Sequence, residues 1–247
     1  MTPDTVNILG IHVHNITTDE TLAAMGEMVA DGRPHQIVTV NPEFVMEAQR
    51  NPAFSVVLGE ATLALPDGAG LLWAARLMGQ PLCERVTGSD TLPLIAEMGA
   101  QRGYSLFLLG AAPGVAERAG AILMERYPGL RIAGTYAGSP DPAHDDEIVA
   151  RVVAAAPDML FVAYGAPRQD FWIHRNLARL QVPVCMGIGG ALDFITGVTQ
   201  RAPAWMQDAG LEWLHRLYRE PWRWRRMLAL PRFVIRVIAH RLGIGRE

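Results

Sequence analysis

Lysine is absent from this chain of 247 residues, so all 22 of its permanently cationic side chains are arginines. A guanidinium group stays charged at physiological pH and can bond a carboxylate or a phosphate through two parallel N–H donors. Every fixed cation site in the protein is therefore a guanidinium site. Runs of about 18 uncharged apolar residues are also missing, so we predict no membrane-spanning helix. The opening stretch, MTPDTVNILGIHVHN, lacks the basic and apolar segments of a signal peptide, and we expect a cytoplasmic protein.

Cysteine is scarce as well, and the two that occur, Cys83 and Cys185, lie far apart in apolar or loop surroundings. We expect two free thiols rather than a disulfide. The GxGxxG fingerprint, the P-loop, the GxSxG elbow and the DxD motif are all missing. Their absence argues against a nicotinamide oxidoreductase and against a nucleotide-bound divalent metal. The histidines do not have a spacing typical of metal ligands, so we expect them to be hydrogen-bonded or solvated.

Positive charge is concentrated at the C-terminal end of the chain. Residues 201–247 hold ten of the arginines, four of the six tryptophans and only four acids, a net charge of +6 against −9 for the rest. In LPRFVIRVIAHRL, Arg232, Arg236 and His240 recur at helical spacing, and apolar residues fill much of the remaining circumference. Such a helix either lies in a membrane interface with its arginines towards anionic headgroups or packs on the protein with its arginines solvated. We favour the membrane interpretation.

Six short apolar runs alternate with amphipathic helical segments along most of the chain. The runs span residues 36–40, 61–65, 104–110, 130–138, 159–165 and 182–190. This alternation predicts an α/β fold, a Rossmann-like sandwich in which helices cover both faces of a parallel sheet. The first residues alternate in polarity, which indicates a hairpin before a helix capped by Thr17 or Thr18. The pattern ends near Gly197, so we divide the chain into a body, 1–197, and a helical, Arg/Trp-rich appendage, 198–247.

Ligands of open parallel sheets bind beyond the carboxyl ends of the strands, so polar residues at those positions are candidates for a site. Thr39 and Asn41 lie at the end of the first run, and either can hydrogen-bond a ligand. Capping of the helix that begins at Pro42 explains Asn41 equally well. Asp67 follows the second run, where a carboxylate acts either as a general base or as a helix N-cap. On spacing alone, the cap is the stronger interpretation.

Two further segments precede helices and contain small polar residues or glycines. Residues 85–90 place Arg85 ahead of a helix whose N-terminal N–H groups can hold a phosphate. A plain cap by Ser89 or Asp90 explains the same pattern. The turn that starts at Gly110 follows a strand and opens a helix, so we predict a phosphate or ribose contact there.

The last two strand exits also carry candidates. Arg168, Gln169 and Asp170 place a guanidinium, an amide and a carboxylate within one helical turn of a strand end. Capping explains such a density of polar groups poorly, so we favour ligand contact. Gly189 and Asp193 belong to a glycine-rich exit, GIGGALD, where backbone can approach a ligand closely.

Together these segments resemble the WecG/TagA/CpsF family of bacterial glycosyltransferases. The matching stretches are TVNPEF (39–44), PDGAGLLWAARLMG (66–79), ERVTGSD (84–90), LFLLGAAPGVAERA (106–119), YGAPRQDFWI (164–173), GIGGALDFITG (187–197), RAPAWM (201–206) and GLEWLHRLYREPWRWRR (210–226). They occur in the family's order over nearly the whole chain. The most specific is RAP followed by the GLEWL stretch.

The resemblance implies an inverting transfer of a hexosamine or a uronic acid from a UDP-sugar to an undecaprenyl-diphosphate-linked saccharide. The acceptor places the protein in the cytoplasm, peripheral on the inner face of the cytoplasmic membrane. The body would be the nucleotide-sugar-binding catalytic domain, and the appendage would complete the site and associate with the membrane. No cofactor, metal or nucleic-acid partner is expected, and the question of a homo-oligomer stays open. A non-catalytic nucleotide-sugar-binding partner in a polysaccharide assembly complex is the alternative.

The resemblance also implies roles for individual residues. Asp67 would be the general base, and Thr39 and Asn41 would orient the substrates. Gln169 belongs to the expected donor pocket. In the absence of a metal, guanidinium groups and backbone N–H groups would meet the charge on the departing UDP. The guanidinium candidates are Arg85, Arg216, Arg223 and Arg226. This chain departs from the family's usual Pro-Lys-Gln-Glu with Pro-Arg-Gln-Asp at 167–170, and the role of Tyr136 stays open.

Overall fold

A single six-stranded parallel sheet forms the centre of the protein. The computed structural model describes residues 4–243, except for the side chains at positions 204, 208 and 223. The strands are β1 (Thr5–Ile8), β2 (Ile11–His14), β3 (His35–Val40), β4 (Leu63–Pro66), β5 (Ser105–Gly110), β6 (Arg131–Tyr136), β7 (Met159–Ala163) and β8 (Val184–Gly187). In the sheet, β3 to β8 are arranged in the order β4-β3-β8-β7-β5-β6. All five pairings are parallel, as the sequence predicts.

Helices cover both faces of this sheet. The helices of the body are α1 (Thr18–Asp31), α2 (Pro42–Ala48), α3 (Pro52–Glu60), α4 (Ala69–Leu77), α5 (Gly88–Arg102), α6 (Val115–Arg126), α7 (Asp145–Ala155), α8 (Arg168–Leu180) and α9 (Ala191–Thr196). Along β5, Leu106 and Leu108 pack under α1, α5, α6 and α9, whereas Phe107 and Leu109 pack under α7 and α8. Successive side chains of a strand point to opposite faces. A strand buried on both faces therefore has the continuous apolar run from which it was predicted.

The N-terminal residues form the predicted hairpin, in which β1 and β2 pair antiparallel beside the main sheet. Its apolar side joins the core beneath α2, α3 and α4. Helix α1 begins with a reciprocal capping box: the hydroxyl of Thr17 accepts from the N–H of Glu20, and the Glu20 carboxylate accepts from the N–H of Thr17 at 2.8 Å. Thr17, rather than Thr18, is therefore the cap.

The carboxyl ends of the strands form one edge of the sheet, and the chain leaves this edge in different directions. From β5 it runs outwards to β6, whereas from β7 it runs inwards to β8. At the end of β5, Gly110 has a φ of 101°, and a Cβ there would lie 2.7 Å from the carbonyl carbon of Ala163. Close packing of β5 on β7 thus accounts for this glycine. Ligand contact at Gly110 stays a prediction.

Residues beyond Gly197 form helices that pack on the body. They are α10 (Ala204–Asp208), α11 (Glu212–Arg219), a 3-10 turn (Pro221–Arg223), α12 (Trp224–Met227) and α13 (Ala229–Arg241). Phe233 and Val237 of α13 are buried in the core shared with α2, α3 and α4. On the opposite side of the helix, Ile235, Ile238 and Leu242 are exposed. Helix α13 therefore packs on the body and also presents an apolar stripe to solvent.

Within the part of the chain that the structure describes, no helix combines the length and the apolar character needed to cross a bilayer.

The two sides of α13 give the first prediction. Truncation of the buried Phe233 to alanine leaves a cavity, which usually reduces stability by about 3–5 kcal/mol. Because Phe233 anchors α13, we expect this loss to weaken the packing of α13 on the body. We expect amide hydrogens of α13 to exchange at least about a hundredfold faster in F233A, as measured by hydrogen–deuterium exchange. The matched variant I235A alters a residue that is 66% exposed and should change exchange little. Equal effects of the two substitutions would contradict the packing of α13.

Candidate active site

A cavity of about 620 Å³ opens where the carboxyl ends of β3 and β4 meet the C-terminal helices. Its polar wall comes from both parts of the chain, and the remaining wall is largely apolar. The body contributes Asn41, Glu43, Asp67, Trp73, Arg85, Thr87 and Ser89, and the C-terminal helices contribute Glu212, Trp213, Arg216, Leu230 and Val234, among others. Strand ends and appendage thus share one cavity, and polar groups converge in it.

Asp67 lines this cavity directly after β4. Its backbone N–H donates to the carbonyl of Val40 at 2.7 Å, which fixes the chain at the strand exit. The N-cap of α4 is Gly68, with a φ of 104° and no capping side chain. The interpretation of Asp67 as a helix cap is therefore wrong, because Gly68 occupies the N-cap position. The side chain of Asp67 does not cap the helix, so another role must account for it.

The electrostatic surroundings of Asp67 oppose its ionisation. Desolvation by the surrounding protein, with smaller contributions from the negative charges of Glu212 and Asp90, outweighs the lowering effect of Arg85 and Arg216 and raises the pKa of its carboxyl to about 7. A carboxyl group in this range is present in both protonation states near neutral pH. It can therefore accept a proton there and hold it.

Asn41 and Thr39 lie next to Asp67 but have different environments. The Oδ1 atom of Asn41 accepts from the N–H of Phe44 at 3.0 Å, so Asn41 caps α2 and lines the cavity as well. Thr39 is buried in β3, and its Cγ2 atom would lie 3.7 Å from a Cβ placed on Gly88. Capping by Asn41 is thus confirmed, whereas ligand contacts of both residues stay predictions.

A network of two cations and two anions joins the body to the C-terminal segment beside the cavity. The two terminal nitrogens of Arg85 lie 3.6 Å from carboxylate oxygens of Asp90 and Glu212, respectively. Arg201 binds the same two carboxylates: it donates to both oxygens of Asp90, one at 2.9 Å, and to Glu212 at 3.3 Å. Burial alone would raise the pKa of Asp90, but hydrogen bonds from Arg201 and Thr87 outweigh it and keep this pKa below its usual value.

Thr87, and neither Ser89 nor Asp90, is the N-cap of α5. Its hydroxyl accepts from the N–H of Asp90 at 3.1 Å and donates to the Asp90 carboxylate at 2.8 Å. The Asp90 carboxylate, which the sequence suggested as a cap, instead binds Arg85 and Arg201. Sequence reasoning missed both Arg201 and Glu212 as site residues, although each lies in a stretch that carries the family resemblance.

Arg216 connects the cavity with the glycine-rich exit of β8. Its guanidinium lies over the ring of Phe194, 5.5 Å from the centroid. A Cβ on Gly190 would lie 2.9 Å from its terminal nitrogen, so a larger residue there would require the guanidinium to shift. The buried Nε atom forms no hydrogen bond within the described residues and lies 4.0 Å from a Glu220 oxygen. The guanidinium lines the cavity, and its positive charge acts to lower the pKa of Asp67.

Gln169 holds the β8 exit in place from beneath. Its buried Oε1 atom accepts from the N–H of Gly189 at 3.0 Å, and a Cβ on Gly187 would lie 2.5 Å from its amide nitrogen. Asp193 lies in the first turn of α9, just beyond this exit. Arg168 is exposed at the start of α8. The wall of the 620 Å³ cavity does not include these residues, so the predicted donor contacts form a neighbouring group rather than part of the cavity itself.

Asp170, expected to contact a ligand, is instead fully buried below the same exit. Neither of its carboxylate oxygens has a hydrogen-bond partner within the described residues, and burial raises its pKa to about 8. The favoured interpretation of residues 168–170 as a ligand-contacting turn is wrong for this side chain. The helical turn at the start of α8 points Asp170 into the protein.

Arg226 is separated from Asp67 by α2. Its terminal nitrogen lies 2.8 Å from a carboxylate oxygen of Glu43, and it lines a second cavity of about 280 Å³. Glu43 lines both cavities. The side chain of Arg223 lies outside the described part of the structure. Of the four guanidinium candidates, Arg85 and Arg216 therefore meet at the cavity of Asp67, and Arg226 does not.

Comparisons with known proteins match this chain to one family over nearly its whole length. The family model described as "Glycosyl transferase WecG/TagA/CpsF family" matches residues 6–247. A protein of Bacillus spizizenii named N-acetylglucosaminyldiphosphoundecaprenol N-acetyl-beta-D-mannosaminyltransferase is 37% identical over 83% of this chain and 79% of its own length. Proteins with the same name from Bacillus subtilis and Staphylococcus aureus are 36% and 30% identical, over 82% and 94% of this chain and 78% and 91% of their own lengths.

The charges around Asp67 generate the second prediction. We expect its carboxyl to titrate near pH 7 in the full-length protein, measured by carbon NMR and assigned by loss of the signal in D67N. Removal of the neighbouring negative charge in E212Q should lower this pKa, because a like charge disfavours ionisation. The control E117Q, on α6 and remote from the cavity, should leave it unchanged. Titration near 4 in the wild type would contradict the desolvation of Asp67.

Proposed function

The chain belongs to the WecG/TagA/CpsF family of glycosyl transferases, and we propose that it moves a sugar from a UDP-sugar to an undecaprenyl-diphosphate-linked saccharide with inversion at the anomeric carbon. The observation that carries this proposal is the cavity that places Asp67, with its raised pKa, beside Arg216. The names of the similar proteins favour N-acetylmannosamine as the sugar and N-acetylglucosaminyl-diphosphoundecaprenol as the acceptor. Such an enzyme would act in the synthesis of a bacterial cell-surface polysaccharide.

Asp67 is the proposed general base. An acceptor hydroxyl in the cavity would give its proton to the Asp67 carboxylate while its oxygen forms the bond to the anomeric carbon. The bond from that carbon to the UDP oxygen breaks at the same time, and the configuration inverts. A base is most effective when its pKa lies close to the working pH, and a value of about 7 meets this condition. Asn41, on the same wall, is placed to orient the acceptor or the donor.

Arg216 is the proposed partner of the departing diphosphate. Arg85 already shares its charge between Asp90 and Glu212 at 3.6 Å, whereas the ion pair of Arg216 with Glu220 is longer, at 4.0 Å. The backbone N–H groups of the adjacent glycine-rich exit are further donors for an anion. With these groups we expect no metal or cofactor requirement. The neighbouring group around Gln169, Gly189 and Asp193 then suits the remainder of the nucleotide.

In this arrangement the two parts of the chain have different roles. Residues 1–197 would bind the nucleotide sugar, and residues 198–247 would close the cavity and meet the inner face of the cytoplasmic membrane. Leu230 and Val234 of α13 form an apolar wall of the cavity close to the exposed stripe of the same helix. An acceptor held in the bilayer by its polyprenyl chain would reach Asp67 along this wall.

The role of Asp67 gives the third prediction. We expect D67N to lose about a hundredfold to ten-thousandfold in sugar transfer to a short-chain polyprenyl-diphosphate acceptor, with UDP binding retained in calorimetry. In the wild type, kcat/KM should rise with pH up to about 7, because the base must be ionised in the free enzyme. The same exchange at the exposed residue Asp141, D141N, is the control. Full turnover in D67N would remove Asp67 from the base role, and UDP binding without transfer by the wild type would favour a non-catalytic partner.

The role of Arg216 gives the fourth prediction. Loss of a charged donor to the leaving group typically costs about a hundredfold to a thousandfold in kcat, and we expect a loss of this size in R216Q. Arg219 lies on the same helix, is exposed and donates to Gln200 at a long 3.4 Å, so R219Q is the matched control. Steady-state kinetics separate the two outcomes. Equal kcat values for R216Q and R219Q would contradict a specific role of Arg216.

A further inference from the structure

The second cavity, of about 280 Å³, is separate from the cavity of Asp67 and has its own chemistry. It lies between α2 and the α12–α13 segment, next to the loop before α8. Its charged residues are Glu43, Glu47, Arg50, Arg225, Arg226 and Arg232, and its other lining residues are apolar. Guanidinium groups over an apolar floor suit a ligand that is anionic at one end and apolar at the other.

The arginines of this cavity outnumber its carboxylates, and only some of them form ion pairs. Arg226 pairs with Glu43 and Arg50 pairs with Glu47, both at 2.8 Å. Arg225 lies over the ring of Trp224, 5.4 Å from its centroid, and neither Arg225 nor Arg232 forms an ion pair with a described residue. Four guanidiniums against two carboxylates leave a formal charge of +2. The unneutralised pair of guanidiniums complements one phosphate group.

The position of the cavity on α13 identifies the kind of molecule that carries this phosphate. Arg232 precedes the exposed stripe of Ile235, Ile238 and Leu242, and helical spacing puts it beside that stripe. In a membrane interface, a helix with such a stripe would have its apolar side among acyl chains and its arginines at the level of the headgroups. The cavity would then open at headgroup depth.

We propose that this cavity binds the phosphate headgroup of one anionic phospholipid, with Arg225 and Arg232 as its phosphate ligands and the apolar floor against the glycerol and first acyl carbons. The cavity has less than half the volume of the one that contains Asp67, which suits a headgroup rather than a nucleotide sugar. Glu43 contributes to both cavities, so the headgroup would lie one side chain away from the catalytic cavity.

The test uses the full-length protein and soluble short-chain lipids below their micellar concentration. We expect dihexanoyl phosphatidylglycerol to bind with a stoichiometry of one in calorimetry, and dihexanoyl phosphatidylcholine and inorganic phosphate to bind at least tenfold more weakly. The double variant R225Q/R232Q should weaken binding of the anionic lipid at least about tenfold, the usual size of charged hydrogen bonds. The control R126Q/R131Q removes two exposed arginines from α6 and β6 and should bind as the wild type does.

Each alternative result has a definite meaning. Equal losses in the two double variants would show attraction by general charge and overturn the proposal. Inorganic phosphate bound as tightly as the lipid would make the cavity a free-anion site, and equal binding of phosphatidylcholine would exclude recognition of the anionic headgroup. The measurement requires no sugar donor, so its result is distinct from that of the transfer assays.

Discussion

The ion-pair network of Asp90, Glu212, Arg85 and Arg201 is the contact on which the candidate active site depends. It joins the start of α5 to α11 and so places the C-terminal helices over the ends of β3 and β4. The same contact encloses Asp67 and brings Glu212 close enough to raise its pKa. Closure of the cavity and adjustment of the base therefore have one physical cause. Half-buried charged pairs of this kind contribute geometry more reliably than stability.

Because the chain lacks lysine, each cationic task falls to a guanidinium, and the structure shows why that group suits the network. Arg201 spans two carboxylates with separate nitrogens, which a single ammonium group cannot do with comparable geometry. The arginines then fall into three kinds of environment. Arg85 and Arg201 are neutralised within the network, Arg226 is neutralised by Glu43, and Arg216 retains an unbonded Nε atom. Charge counts in the sequence cannot separate these environments, since they depend on which carboxylate lies nearby.

Local signals were sufficient for most of the fold but not for the site. The continuous apolar run of β5 and the cap of α1 involve neighbours in sequence; the strand was predicted, and the cap was predicted as Thr17 or Thr18. Whether Asp67 caps α4 depends on the φ of Gly68, which spacing does not reveal. The burial of Asp170 and the pairing of Arg226 with Glu43, 183 positions apart, depend on tertiary packing. A single sequence contains no periodic pattern from which such long-range contacts could be predicted.

Helix α13 packs on the body and still leaves an apolar side exposed, so its packing does not exclude association with a membrane. Phe233 and Val237 anchor it to the body, so its other side has a fixed orientation relative to the cavity. Val234, on the cavity wall, and Ile235, on the exposed stripe, are adjacent residues. A bilayer that covers the stripe would therefore meet the apolar wall of the cavity without any rearrangement of the helix. Under the proposed function, docking at the membrane and delivery of a lipid-linked acceptor to Asp67 would be one geometric event, because a single helix presents both surfaces.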